Sequence, residues 1–113
     1  MTKKPKEIKS TKHQRKTDDV IKSHKEKIIT IISALFPKTK IYLYGSRARG
    51  THQEWSDIDL ALDAGKKLNR HDIREVMDML EASNIPYKVS IVDFNDADKE
   101  FKDEISKDMM LWN

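Results

Sequence analysis

The chain contains no cysteine. That excludes a disulfide framework, a zinc–thiolate site and thiol catalysis together, and it fits a reducing cytosol. It also lacks an apolar run approaching the length of a membrane span. Its N-terminus is basic with no apolar segment behind it, so neither a signal peptide nor a membrane anchor is expected. Only three glycines and three prolines occur, with no Gly/Pro-rich linker and no internal repeat. At 113 residues the chain is expected to form one domain with a single core. Charged residues make up 36% and apolar ones 37%, so that core must be compact beneath a highly charged surface.

The net charge of +3 is unevenly spread. Residues 1–30 hold ten Lys/Arg against four Asp/Glu, whereas residues 31–113 hold twelve against fifteen. Residues 1–17 carry a single apolar aliphatic side chain, Ile8, and read as a basic, disordered tail. The domain is expected over 18–113. A pI near 9.0 alone would suggest nucleic acid, but the basic excess lies outside the part that looks folded.

Asp18 and Asp19 offer an N-cap and a favourable charge for a helix whose stripe is Val20, Ile21, His24, Ile28, Ile31, Ile32 and Leu35, ending before Pro37. Lys40 to Tyr44 reads as a short buried strand, and Gly45 to Ser56 as a loop opening with a helical turn. Asp57 to Asp63 alternates strictly, with acids and Ala61 on one side and Ile58, Leu60 and Leu62 on the other. Asn69 can cap a second helix with Ile73, Val76, Met77 and Leu80 inward. Tyr87 to Phe94 is a third strand. Asn95 onward gives a short helix with Phe101 and Ile105 inward, then an apolar tail, Met109 to Trp112, that either closes the core or meets a partner. The order α-β-β-α-β-α predicts an α/β (α+β) fold, a small mixed sheet with helices mainly on one face.

The chemistry concentrates between Tyr44 and Asp59. Gly45 permits a sharp turn without a side chain to obstruct a bulky anion. Ser46 adds a hydroxyl and an N–H, and Arg47 and Arg49 add guanidinium forks suited to phosphate. Asp57 and Asp59, two residues apart on a strand, point to one face about 7 Å apart along it. Two acids so placed repel unless a cation lies between them, and a divalent metal is the usual answer. A phosphate cradle facing such a pair is what nucleotidyl transfer requires. His13, His24, His52 and His71 show no ligand spacing and read as surface or stripe residues, with a substrate contact as the less favoured role for His52. Trp55 reads as loop packing, with stacking on a base as the alternative.

Gly45-Ser46, ten residues, then Asp57-x-Asp59, framed by Leu43-Tyr44 and Leu60-Ala61-Leu62, resembles the DNA polymerase β-like nucleotidyltransferases. More narrowly it resembles the minimal nucleotidyltransferases, antitoxin halves of two-component systems. The resemblance implies a nucleotidyltransferase fold and a Mg²⁺-dependent transfer of a nucleoside monophosphate, AMP from ATP, to a small helical partner protein of the HEPN type. It implies Gly45 and Ser46 as the phosphate-binding turn, Asp57 and Asp59 as metal ligands, and Arg49 as a nucleotide contact. Relatives carry a third carboxylate directly after the valine that Val89 matches, where this chain has Ser90. Asp93 is the candidate to replace it, but lies an odd number of residues on, so a bulge would have to bring it round. Three readings stay open: a working enzyme, an antitoxin that acts by contact alone, and transfer to an RNA end.

Overall fold

The computed structural model describes residues 19–113, and side chains from Ile21 onward. The expected tail over 1–17 and a cap at Asp18 lie outside the described residues. Helix α1 spans Asp19–Leu35, β1 Lys40–Tyr44, the single turn α2 Ser46–Arg49, β2 Ile58–Asp63, α3 Arg70–Ala82, β3 Val89–Asp93, α4 Lys99–Ser106 and β4 Met110–Leu111. A 3₁₀ turn, Phe94–Asp96, follows β3. Among the described residues no helix is long and apolar enough to cross a membrane.

The sheet order is β3-β2-β1-β4. β1 runs antiparallel to β2 and β4, and β2 runs parallel to β3. The parallel pair demands a crossover, which α3 supplies. Period-two alternation sorts each strand's side chains. Ile41 and Leu43, Ile58, Leu60 and Leu62, and Val89 pack in one cluster with Ile28 and Ile32 of α1 and Val76 and Leu80 of α3. At about 25 cal/mol per Å², each such aliphatic side chain contributes roughly 1.5–3 kcal/mol on burial. The Asn69 carboxamide accepts from the His71 and Asp72 N–H groups, the cap its position promises.

The opposite face carries Tyr42 and Tyr44, Asp59, Ala61 and Asp63, and Ser90 and Val92, as the registers require. It is not left bare. The Tyr44 ring meets Phe101 of α4 edge-on at 6.2 Å, and Ile105 of α4 is buried. Thus the two long helices lie on one face and the short α4 on the other. Phe101, expected inward, remains 37% exposed, because Tyr44 covers only one side of its ring.

Three strands were expected, and four are present among the described residues. Met110 and Leu111 pair with Leu43 and Tyr42 on the outer edge of β1. The Trp112 N–H donates to the Ile41 carbonyl (2.7 Å), and the Asn113 carboxamide accepts from Ile41 N–H and donates to Thr39 O. A two-residue strand has no detectable periodicity, so only its pairing identifies it. The tail therefore divides: Trp112 packs against the core, while Met110 and Leu111 stay exposed.

Candidate active site

β1 ends at Tyr44 and the chain reverses through Gly45, at φ 79° and ψ −156°. A Cβ there would stand 2.7 Å from Asp59 Oδ2. Glycine suits the backbone conformation, and a Cβ would in addition turn the Asp59 carboxylate out of its place. Ser46 opens the α2 turn, whose Arg49 N–H returns to Gly45 O. The turn closes at Gly50, in the left-handed region. The turn expected from sequence is present and brings Gly45 and Ser46 beside Asp59.

Asp57 is exposed just before β2, and Asp59 is half-buried within it. The Asp59 carboxyl is pushed above its ordinary range by burial first and by the negative charge of Asp57 second. Arg47, Arg49 and Lys88 pull the other way. The pair therefore shares one electrostatic site with three cations around it. Two hard oxygen donors in mutual repulsion suit a divalent cation. Mg²⁺ in particular is held by one or two carboxylates and completes its shell with water and phosphate oxygens. Among the described residues no group of three or more His, Asp or Glu side chains is arranged to hold a metal.

The two arginines, alike in sequence, are placed differently. Arg47 is 4% exposed; its Nε donates to Ser56 O (3.0 Å) and a terminal nitrogen to Glu54 O (3.1 Å), and its guanidinium lies 4.9 Å from the Tyr87 ring centre. Its fork is engaged by the loop leading to Asp57, so the expected nucleotide contact is corrected to a clamp that positions the acid. Arg49 is exposed and pairs with Asp108 at 3.2 Å. A solvent-exposed pair of this kind is worth little, so Arg49 can turn to an anion at small cost.

A third carboxylate at Asp93 is also corrected. Parallel register sets Asp93 beside Leu62, on the core face and away from Asp59. Its Oδ2 accepts from Leu68 N–H (2.7 Å) and its Oδ1 from Asn95 N–H (3.2 Å), so it caps the 3₁₀ turn and ties down the segment before α3. β3 is regular, with no bulge to redirect it. Ser90 is the residue that stands directly beside Asp59.

Tyr44, Asp59 and Ser90 thus form one row across three strands. The sequence reading missed Tyr44 as a member, though its alternation with Leu43 was the available signal. Burial first, and the Asp59 charge second, push its phenol above the ordinary range, so it remains a protonated donor. His52 is buried, so it serves the loop's packing and not its surface. Trp55 is 69% exposed and meets Tyr87 on one side, with ring centres 5.8 Å apart.

Comparison with known proteins agrees with this geometry. A probable protein adenylyltransferase MntA of Haemophilus influenzae is 28% identical over 88 residues, 77% of each chain. A crystal structure of a toxin–antitoxin with AMP-PNP superposes with a TM-score of 0.67 at 30% identity, over 79% of this chain and 72% of that one. A tri-AMPylated HEPN toxin of Shewanella oneidensis in complex with its MNT antitoxin gives 0.63 at 26% identity, over 81% and 71%. The family described as polymerase beta, nucleotidyltransferase, matches residues 26–112, and with that span covering the cradle, the acid pair and all four strands, the chain belongs to the polymerase β nucleotidyltransferases.

Proposed function

We propose that this chain is an MntA-like antitoxin that binds Mg²⁺–ATP and transfers AMP to a partner protein of the HEPN type. The observation that carries the reading is the approach of Asp59 to Gly45, which sets the Asp57–Asp59 pair beside the Ser46 turn. Asp57 and Asp59 would hold the Mg²⁺, whose charge would neutralise that developing on the phosphate oxygens. Gly45 leaves room for the phosphate chain, Ser46 offers it a hydroxyl and an N–H, and Arg49 offers a guanidinium. Arg47 fixes the loop and Tyr44 backs the carboxylate. In the transfer, an acceptor hydroxyl of the partner attacks the α-phosphorus, a P–O bond forms, the bond to the β-phosphate bridge breaks and pyrophosphate leaves. The hydroxyl proton passes to solvent, because no further carboxylate stands in the row.

Incubation with Mg²⁺, ATP labelled in the α-phosphate, and a HEPN-type protein tests this. Label on the partner, lost in Asp57→Asn and Asp59→Asn, is the expected result. A stable complex without label would instead establish the second reading, an antitoxin acting by contact, which Ser90 in place of an acid favours. Absence of Mg²⁺-dependent ATP binding in titration calorimetry would remove both nucleotide roles.

A further inference from the structure

We infer that Asp108 is an internal counter-ion held on Arg49 in the nucleotide-free chain, and that the phosphates of the nucleotide displace it. The inference rests on the reading of the Ser46 turn as a phosphate cradle. An Arg49 terminal nitrogen donates to Asp108 Oδ2 at 3.2 Å, although the two are 59 residues apart in the chain. The sheet brings them together. β4 runs antiparallel to β1 with Met110 beside Leu43, so the chain ahead of Met110 lies at the end of β1, where it turns through Gly45. Asp59 flanks that same end from the β2 side, paired with Tyr44. α4, which ends two residues before Asp108, lies on the face that carries Asp59, with Phe101 against Tyr44. The turn therefore stands between two carboxylates, Asp59 against Gly45 and Asp108 on the guanidinium.

Both backbones are anchored while both side chains remain open to water. The Arg49 N–H donates to Gly45 O (3.0 Å) and the Asp108 N–H to the carbonyl of buried Ile105 (3.1 Å). The side chains are 48% and 29% exposed, so an anion from solvent can reach the pair. A guanidinium fork takes a carboxylate and a phosphate through the same N–H groups, so the two anions exclude each other at Arg49. An exposed pair is weak, and a polyphosphate brings several oxygens against one carboxylate. Asp108 thus lowers the affinity of any phosphate chain for the turn by the fraction of molecules in which it holds Arg49. It reclaims the guanidinium when the phosphates leave.

The experiment titrates Mg²⁺–ATP and Mg²⁺–tripolyphosphate into the whole chain by calorimetry at low ionic strength. Asp108→Asn should tighten the binding of both about threefold, the scale on which an exposed ion pair acts. The gain should be absent when Asp108→Asn is made in an Arg49→Gln chain, because the cycle isolates the pair from the single charge. Glu104→Gln removes an acid of α4 that pairs with Lys107 at 3.3 Å, and should change neither affinity. Equal gains with and without Arg49, or a like gain from Glu104→Gln, would overturn the inference and assign the effect to the general field. Unchanged or weaker binding in Asp108→Asn, with ATP still bound by the unaltered chain, would also overturn it and leave the cradle standing. Failure of both ligands to bind the unaltered chain would bring down the cradle reading and the displacement with it.

Discussion

Gly45 shows how one position can be fixed by two independent constraints. The left-handed φ costs any residue with a Cβ about 1–2 kcal/mol, and the Asp59 carboxylate occupies the space that a Cβ would need. Gly45→Ala is expected to lower stability by roughly that amount or more, read from chemical denaturation, and to displace Asp59 enough to weaken Mg²⁺-dependent ATP binding. Unchanged binding would separate the turn from the acid. Ser90 poses the complementary question. Ser90→Asp adds a third negative charge beside Asp59, so the metal-free protein should melt lower than wild type and show a larger Mg²⁺-induced rise in Tm. Transfer to the partner should quicken on the order of 10²-fold, if a positioned carboxylate takes the acceptor proton. A mutant whose Tm responds to Mg²⁺ no more than wild type would show that residue 90 lies outside metal reach.

At the scale of elements, the loop from Gly50 to Asp57 owes its shape to an arginine on the turn before it. Arg47 donates to two carbonyls nine and seven residues away and lies over Tyr87, which joins α2, the loop and the start of β3. Hydrogen bonds from a charged donor contribute about 1.5–3 kcal/mol when buried. Arg47→Lys keeps the charge but loses the planar fork, so it should cost about 2 kcal/mol and weaken Mg²⁺ binding through a loosened Asp57. If lysine preserved both, the clamp would be electrostatic only. The β4 edge depends on a side chain that imitates a strand. Asn113 satisfies one donor and one acceptor of the β1 edge, and Asn113→Ala should cost about 1 kcal/mol by denaturation, with faster amide exchange at Ile41.

For the whole molecule, two carboxylates on one face of the sheet have opposite pH dependence. Asp63 is held below its ordinary 3.8 by the hydrogen bond from the Asn95 carboxamide, then by that from Gly65 N–H. Its contribution is fully present above 3.8 and is lost as pH falls through the lower folded value. Asp59 is raised, so the folded state takes up its proton before the unfolded state does, and folding gains as pH falls from that raised value towards 3.8. Melting curves against pH should therefore show the gap between wild type and Asp63→Asn closing below 3.8. If Asp59 holds Mg²⁺ as proposed, metal and proton compete there, so Mg²⁺ affinity should fall at a higher pH than an unperturbed aspartate would dictate. A gap of constant width down to the lowest pH would remove Asp63 from the account.

The elements were largely legible in the sequence because local physics writes them there. The α1 stripe stops at Pro37, the β2 alternation separates acids from aliphatics, and Asn69 caps α3 as its chemistry predicts. The turn after β1 and the half-buried Asp59 on β2 were legible too, with Asp57 falling just ahead of the strand and not on it. What escaped depends on contacts between distant segments. A two-residue β4 has no period to detect, and its existence is decided by the open edge of β1. Arg47 and Arg49 are two positions apart and look alike in sequence, yet one faces the loop carbonyls and the other faces solvent and Asp108. Ser90 and Asp93 are separated by the parallel register of β3 on β2, which puts a hydroxyl beside Asp59 and spends the carboxylate on a cap. Sequence alone determined that a glycine-hinged turn follows β1 and that two acids stand two residues apart at the start of β2, because each is fixed by local chain geometry. Only the tertiary structure decided which groups complete that site, because sheet register and long-range hydrogen bonds set the direction of every remaining side chain.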